Sequence, residues 1–187
     1  QVNIYGRCGN PSEYALEEHV ALLENSDGCL AVASGMAAVY TTCFALLRAG
    51  DHIVSDWTTY SSTHEMFDHR LPDYDIKTTF VDTTDIDAVE RSLTDKTKII
   101  YFETIANPTM RVAAIPPLID LAHHHGVLVV CDNTFASPYL IRPLDWGVDV
   151  VVESATKFMG GHNDVIGGVI AVKSGRLPVD FLHELRW

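Results

Sequence analysis

Lys157 stands in Glu153-Ser154-Ala155-Thr156-Lys157-Phe158-Met159-Gly160-Gly161-His162, a stretch that directly follows the run 148–152, apolar but for Asp149. The run is apolar without alternation, which predicts a strand buried on both faces. A lysine at the end of such a strand costs desolvation unless its charge is paired or removed. Condensation of the amine with the carbonyl of a cofactor removes the charge and makes the nitrogen chemically useful. A surface lysine just past a strand is the plain alternative, and this stretch alone does not choose between them. Asp132 does, because it follows a second apolar run, Val127-Leu128-Val129-Val130-Cys131.

Two strand ends, one carrying an acid and the other a lysine, are what pyridoxal phosphate requires. The lysine holds the aldehyde, and the carboxylate keeps the ring nitrogen protonated so that the ring can accept electrons. Ser34-Gly35-Met36 follows a third apolar run, 29–33, and opens a helix over 37–47. A glycine at a strand-to-helix turn exposes backbone N–H groups at a helix N-terminus, which is an anion site. With Lys157 and Asp132 in place, that turn is the expected phosphate cup, assisted by Ser154 and Thr156. The glycine-rich dinucleotide fingerprint is absent, so a nicotinamide or flavin reading lacks its main support.

These motifs are similar to those of the Cys/Met-metabolism family of pyridoxal-phosphate enzymes. Asp132-Asn133-Thr134-Phe135 and Ser154-Ala155-Thr156-Lys157 carry the resemblance, which runs over nearly the whole chain. The family includes cystathionine γ-synthase, cystathionine γ-lyase, methionine γ-lyase and the O-acylhomoserine sulfhydrylases. The resemblance implies pyridoxal 5'-phosphate as cofactor, with Lys157 as its attachment and as a proton carrier. It implies that Asp132 pairs with the ring nitrogen, and that Gly35, Met36, Ser154 and Thr156 surround the phosphate. Asn107, before Pro108, is implied to bond the ring hydroxyl, and Thr134 to steady the ring. Tyr60 is implied to stack on the ring and exchange protons with the substrate. Ser61 and Ser62 follow it where the family usually has Gly and then another small residue. Tyr5-x-Arg7 resembles a motif that reaches across a dimer interface to the neighbouring subunit's phosphate, a task that suits a guanidinium fork.

The positioning elements are legible in outline. Strands are expected over 52–55, 76–81, 98–102 and 165–172, and helices over 85–93, 116–125 and 179–187. A further helix is expected to be capped by Ser12 and to bury Leu16, Val20 and Leu23. Alternation of strands and helices implies an α/β fold, a mostly parallel sheet flanked by helices with right-handed crossovers. The resemblance makes this the large cofactor domain of the aspartate-aminotransferase-like, fold type I enzymes, with seven strands of which one is antiparallel. The 165–172 segment is the candidate for that strand. The resemblance also implies a truncated chain, with part of an N-terminal arm over 1–12 and an incomplete cofactor domain over 13–187. The C-terminal small domain, which carries the arginine for the substrate carboxylate, would lie outside it. His123, His124 and His125 point in different directions around their helix and do not make a metal face.

The chain has 187 residues, 47% of them hydrophobic, enough for a substantial core. A formal charge of −12 argues against nucleic acid or an anionic membrane as partner. No apolar run approaches the roughly 20 residues of a membrane span. Cys8, Cys29, Cys43 and Cys131 show no CxxC spacing and read as reduced thiols of a cytoplasmic protein. The implied activity is γ-elimination or γ-replacement on sulfur amino acids or O-acylhomoserine, of the cystathionine γ-synthase/γ-lyase type, toward which Gly161-His162-Asn163-Asp164 leans. Methionine γ-lyase and O-acetylhomoserine sulfhydrylase are the alternatives, and pure β-elimination is set lower. The working unit is expected to be a homo-oligomer, a dimer at least and a tetramer by resemblance. A reading from another class is a truncated cofactor-fold protein that binds without turnover.

Overall fold

A computed structural model describes residues 5–178 and 180–186. In chain order the elements are α1 (Pro11–Glu24), β1 (Gly28–Val32), α2 (Gly35–Leu46), β2 (His52–Asp56), α3 (Ser61–Glu65) and β3 (Lys77–Val81). They continue with α4 (Ile86–Ser92), β4 (Thr97–Glu103), α5 (Ile115–His124), β5 (Leu128–Asp132) and α6 (Ser137–Leu140). β6 (Val150–Glu153), β7 (Gly168–Val172) and α7 (Phe181–Arg186) complete the set. The seven strands form one sheet in the order β1-β7-β6-β5-β4-β2-β3. All neighbours are parallel except those of β7, which runs antiparallel to both β1 and β6. The α/β architecture and the antiparallel strand are thus as expected, with β7 shorter than 165–172.

Residue alternation along the strands builds two cores. Tyr101, Val130, Val150 and Val152 face Ala38, Val39, Met66, Phe67 and Leu71 on one side. Ile100, Phe102, Val129, Cys131 and Val151 face Ile115, Leu118, Ala122 and Leu144 on the other. Both faces are covered, which is why β5 and β6 are apolar without alternation. The same parity puts Glu103 and Asp132, the last residues of β4 and β5, on the α2 face.

Two expectations need correction. The first helix is capped by Asn10, not Ser12: the Asn10 side chain accepts from the Glu13 amide at 3.0 Å, and Pro11 occupies the first turn. The same helix leaves Leu16, Leu22 and Leu23 exposed and buries Glu17 and Glu24. Glu17 is held there because it accepts from the Ala31 amide at 2.8 Å and pairs with Arg186 at 2.6 Å. Residues 61–74, for which sequence reasoning gave no element, are helical throughout, α3 running into a π turn at Met66–Arg70 and a 3-10 turn at Leu71–Tyr74. Segments this short carry little periodicity, and their buried Met66, Phe67 and Leu71 show only once the sheet is present.

The α2 N-terminus is pressed onto the end of the sheet. A Cβ on Gly168 of β7 would collide with the Ser34 carbonyl, and one on Gly35 would lie 2.6 Å from Ser154 Cβ. Glycine is required at both positions by close approach rather than by backbone conformation. Gly168→Ala is therefore expected to destabilise the full-length protein by about 1–3 kcal/mol, the usual cost of overpacking. Gly167→Ala, whose Cβ would meet its nearest neighbour at 3.6 Å, is the control. Equal denaturation midpoints for the two variants would contradict this account.

Candidate active site

The C-terminal ends of β4, β5 and β6 and the N-terminus of α2 surround one cavity of about 220 Å3. Ser34, Gly35, Met36, Tyr60, Asn107, Asp132, Thr134, Ser154, Thr156 and Lys157 all line it. Residues separated by more than 120 positions are brought together because parallel strands share one C-terminal edge, where open α/β sheets bind ligands. A larger and more open groove of about 710 Å3 lies elsewhere, lined by Leu22, Tyr139, Trp146 and Phe158. Its charged lining residues are Arg142 and Asp145, and it contains neither Lys157 nor Asp132, so the smaller cavity is the candidate chemical site.

Ser34 caps α2, its Oγ accepting from the Ala37 amide at 3.1 Å. The amides of Gly35 and Met36, in the first helical turn, have no intrahelical acceptor. Together with the partial positive charge of the helix end they form an anion-binding surface. Ser154 is held opposite: its amide donates to Thr134 Oγ1 at 2.8 Å, and the Thr134 amide donates to Asp132 Oδ1 at 2.9 Å. Thr156 lines the cavity with its hydroxyl bonded to the Gly167 backbone, accepting from the amide at 3.1 Å and donating to the carbonyl at 3.2 Å. It thereby closes the loop that follows Lys157.

Asp132 is enclosed by protein except toward the cavity. Burial pushes its carboxyl above the usual range, against the Thr134 bonds and the Tyr101 hydroxyl at 3.5 Å that lower it. Among the described residues no Lys, Arg or His forms an ion pair with it. A buried acid facing a cavity without a cation suits a ligand that brings its own N–H⁺. Lys157 departs from expectation. It lies in a turn beyond β6 and is exposed, so burial is not what removes its charge. Among the described residues its ammonium has no hydrogen-bond or ion-pair partner, and it lines the cavity opposite Asp132's strand.

Glu103, which sequence reasoning passed over, organises the other wall. One carboxylate oxygen accepts from the Tyr60 amide and the other from the Asn107 amide at 3.0 Å. Burial, then the charge of Asp132, push its pKa up to about 8 despite those two bonds. One buried carboxylate thus sets the backbone of both Tyr60 and Asn107. An acid ending a strand, directly before Thr-Ile-Ala-Asn-Pro, was the available signal. Asp56 anchors the preceding turn, accepting from the amides and hydroxyls of Thr58 and Thr83.

Tyr5 is exposed and is not among the residues lining the cavity, and the side chain of Arg7 lies outside the described residues. His123 is paired with Asp149 at 3.1 Å, and His125 lies 3.6 Å from Glu90.

Residues 1–183 match the family of Cys/Met metabolism PLP-dependent enzymes. The chain belongs to that family. It is 42% identical over 171 residues to L-methionine gamma-lyase of Fusobacterium nucleatum subsp. nucleatum, covering 91% of this chain and 43% of that protein. It is 46% identical over 173 residues to cystathionine beta-lyase MetC of Bacillus subtilis, covering 92% and 44% respectively. The crystal structure of cystathionine gamma-lyase from Lactobacillus plantarum complexed with L-serine superposes with a TM-score of 0.93 at 42% identity, over all of this chain and 50% of that one. A Campylobacter jejuni chain named as an O-acetylhomoserine (thiol)-lyase, which carries a pyridoxyl-lysine monophosphate, gives a TM-score of 0.90 at 32% identity, over 99% of this chain and 44% of that one. The chain therefore spans about half the length of the relatives it matches.

Above pH 8, where the Glu103 carboxyl is ionised, Glu103→Gln keeps the volume of the side chain but turns an N–H toward one of the two amides it now accepts from. A buried donor without an acceptor costs about 1–3 kcal/mol. The expected outcome is weaker cofactor retention by the full-length protein, measured by equilibrium dialysis, with Glu103→Asp only partly restoring it. Unchanged retention in Glu103→Gln would remove Glu103 from the site.

Proposed function

We propose that the full-length protein uses pyridoxal phosphate, held by this chain, for γ-elimination or γ-replacement on sulfur amino acids or O-acylhomoserine. The observation that carries the reading is the single cavity joining Lys157, a half-buried Asp132 with no cationic partner among the described residues, and the α2 N-terminus. The residues fit the cofactor: the Gly35 approach leaves space for an anion but none for a Cβ, and Asp132 has no cationic partner among the described residues. Bound there, the cofactor supplies the electron sink that makes bonds at the substrate α, β and γ carbons breakable.

The chain's own residues would divide the remaining work. The Gly35 and Met36 amides and the Ser154 hydroxyl bind the phosphate, with Thr156 holding the loop behind it. Asp132 keeps the proton on the ring nitrogen, and Asn107 bonds the ring hydroxyl. Tyr60 and Thr134, which line the cavity, would hold the cofactor ring. The Nζ of Lys157 would move protons between substrate carbons, and Tyr60 Oη would move a proton to or from the substrate amine or leaving group. The 46% identity to a cystathionine beta-lyase favours β-elimination as a second reading. Substrate carboxylate binding would fall to residues outside this chain.

Incubation of the full-length protein with methionine, cystathionine and O-acetylhomoserine plus a thiol tests the reading. A keto acid with ammonia, or a new thioether, is expected from at least one of them; only pyruvate from cystathionine would select β-elimination. Borohydride reduction followed by peptide mapping should place the label on Lys157. No product from any substrate, or a label on Lys173, would overturn the proposal.

The cofactor phosphate carries close to two negative charges, whereas Ser34, Gly35, Ser154 and Thr156 are neutral donors and a helix end supplies only about half a positive charge. We infer that Tyr5 and Arg7 of a second copy complete the phosphate site in a dimer or tetramer. Mixing inactive Lys157→Ala and Arg7→Ala full-length proteins under conditions of subunit exchange should restore activity, since one site of each mixed dimer has neither defect. No recovery despite demonstrated exchange would place Arg7 elsewhere.

A further inference from the structure

Three polar side chains meet beneath the cavity without enough hydrogen to satisfy them. Glu24, the last residue of α1, is 0% exposed; Glu153, the last of β6, is 2% exposed; Asn133, following β5, is 0% exposed. Asn133 Nδ2 donates to Glu24 Oε1 at 3.1 Å and to the Ile141 carbonyl at 3.0 Å. Glu24 Oε2, Glu153 Oε1 and Asn133 Oδ1 then have no partner among the described residues. The two carboxyl groups lie within hydrogen-bonding reach of each other. Two ionised carboxylates cannot share a dry site, whereas one proton between them satisfies an oxygen of each.

We propose that Glu24 and Glu153 share one proton, and that this bridged pair is a positioning element for the strand ends carrying Asp132 and Ser154. The covalent and hydrogen-bond connections are short. Glu153 precedes Ser154, whose amide donates to Thr134 at 2.8 Å; the Asn133 amide, directly after Asp132, donates to the Val152 carbonyl at 3.0 Å. The bridge ties α1 to both strand ends at the point where they are laced together. Loss of the proton would set two like charges against each other there.

The surroundings favour keeping the proton. Burial raises both carboxyls, and Asp132 from β5 raises Glu153 further. Asp145 raises Glu24, and Arg142, which lowers it, is already paired with Asp145 at 2.9 Å. Cys29 of β1 and Cys131 of β5 face the pair as thiols, since burial pushes both above the usual thiol range. Glu17 is compensated by Arg186, and Glu103 is the remaining acid near Cys131. With native pKa values above the ordinary 4.5, the pair's stabilising contribution is complete below that value. It decays as pH rises and is gone above the raised native range.

The test uses the full-length protein and reads out the proton rather than the proposed activity, so its failure and the failure of the proposed function are distinguishable. Infrared difference spectra, wild type minus variant, in H2O and D2O at neutral pH should show one protonated-carboxyl component lost in Glu153→Gln, or in Glu24→Gln if the first variant does not fold, beside the component of Glu103 that both proteins keep. The amide replaces the bridging proton, so melting temperature and pyridoxal phosphate affinity should fall more steeply with rising pH in the wild type than in the Gln variant, which keeps only the dependence of Glu103 and Asp132. The wild-type affinity loss is limited to about tenfold per pH unit for one linked proton. Glu153→Ala should lose affinity at every pH. No difference component between the wild type and whichever Gln variants fold, or parallel pH profiles, would overturn the proposal. So would stabilisation by Na⁺ or K⁺ at constant ionic strength without that component, which would make the bridge a bound cation.

Discussion

The site depends on how closely the start of α2 can approach the sheet. Gly35 against Ser154 and Gly168 against the Ser34 carbonyl leave no room for a Cβ on either side. That contact aims the free amides of the helix N-terminus across the ends of β5 and β6. It also explains the antiparallel β7, which inserts between β1 and β6 and brings Gly168 beneath the turn. An anion site built from backbone is only as good as the separation it maintains from the opposing donors.

Around this contact the chain uses buried carboxylates as structural parts. Asp56 and Glu103 hold the turn carrying Tyr60, Glu103 also holds Asn107, and Glu24 and Glu153 meet under the strand ends. Each acid satisfies backbone amides or another polar side chain at a point where irregular backbone would otherwise leave donors unpaired. The burden is desolvation, visible in the raised values of Glu24, Glu103, Asp132 and Glu153. Asp132 differs from the others in facing open space, which is why it is the one suited to a ligand.

The exposed Leu16, Leu22 and Leu23 show where patterning misleads. Their helical spacing resembles a core stripe, yet the helix turns Glu17 and Glu24 inward instead. Helical period identifies a face without saying what covers it, and two glutamates with specific partners outweighed three leucines.

What the sequence by itself determined were the features written in local chemistry. Unbroken apolar runs marked strands buried on both faces, Ser-Gly marked a helix start, and strand-end positions marked Asp132 and Lys157. The tertiary structure alone decided which strand ends lie side by side, since the order β1-β7-β6-β5-β4-β2-β3 is set by long-range packing that no local pattern encodes. It decided that Lys157 is exposed rather than buried, because the turn carries it four residues beyond the end of the protected strand at Glu153. It also decided the roles of Glu103 and of the Glu24–Glu153 pair. A glutamate reads as surface in sequence, and only neighbours from distant segments, arriving with amides or a second carboxyl, make its burial tolerable.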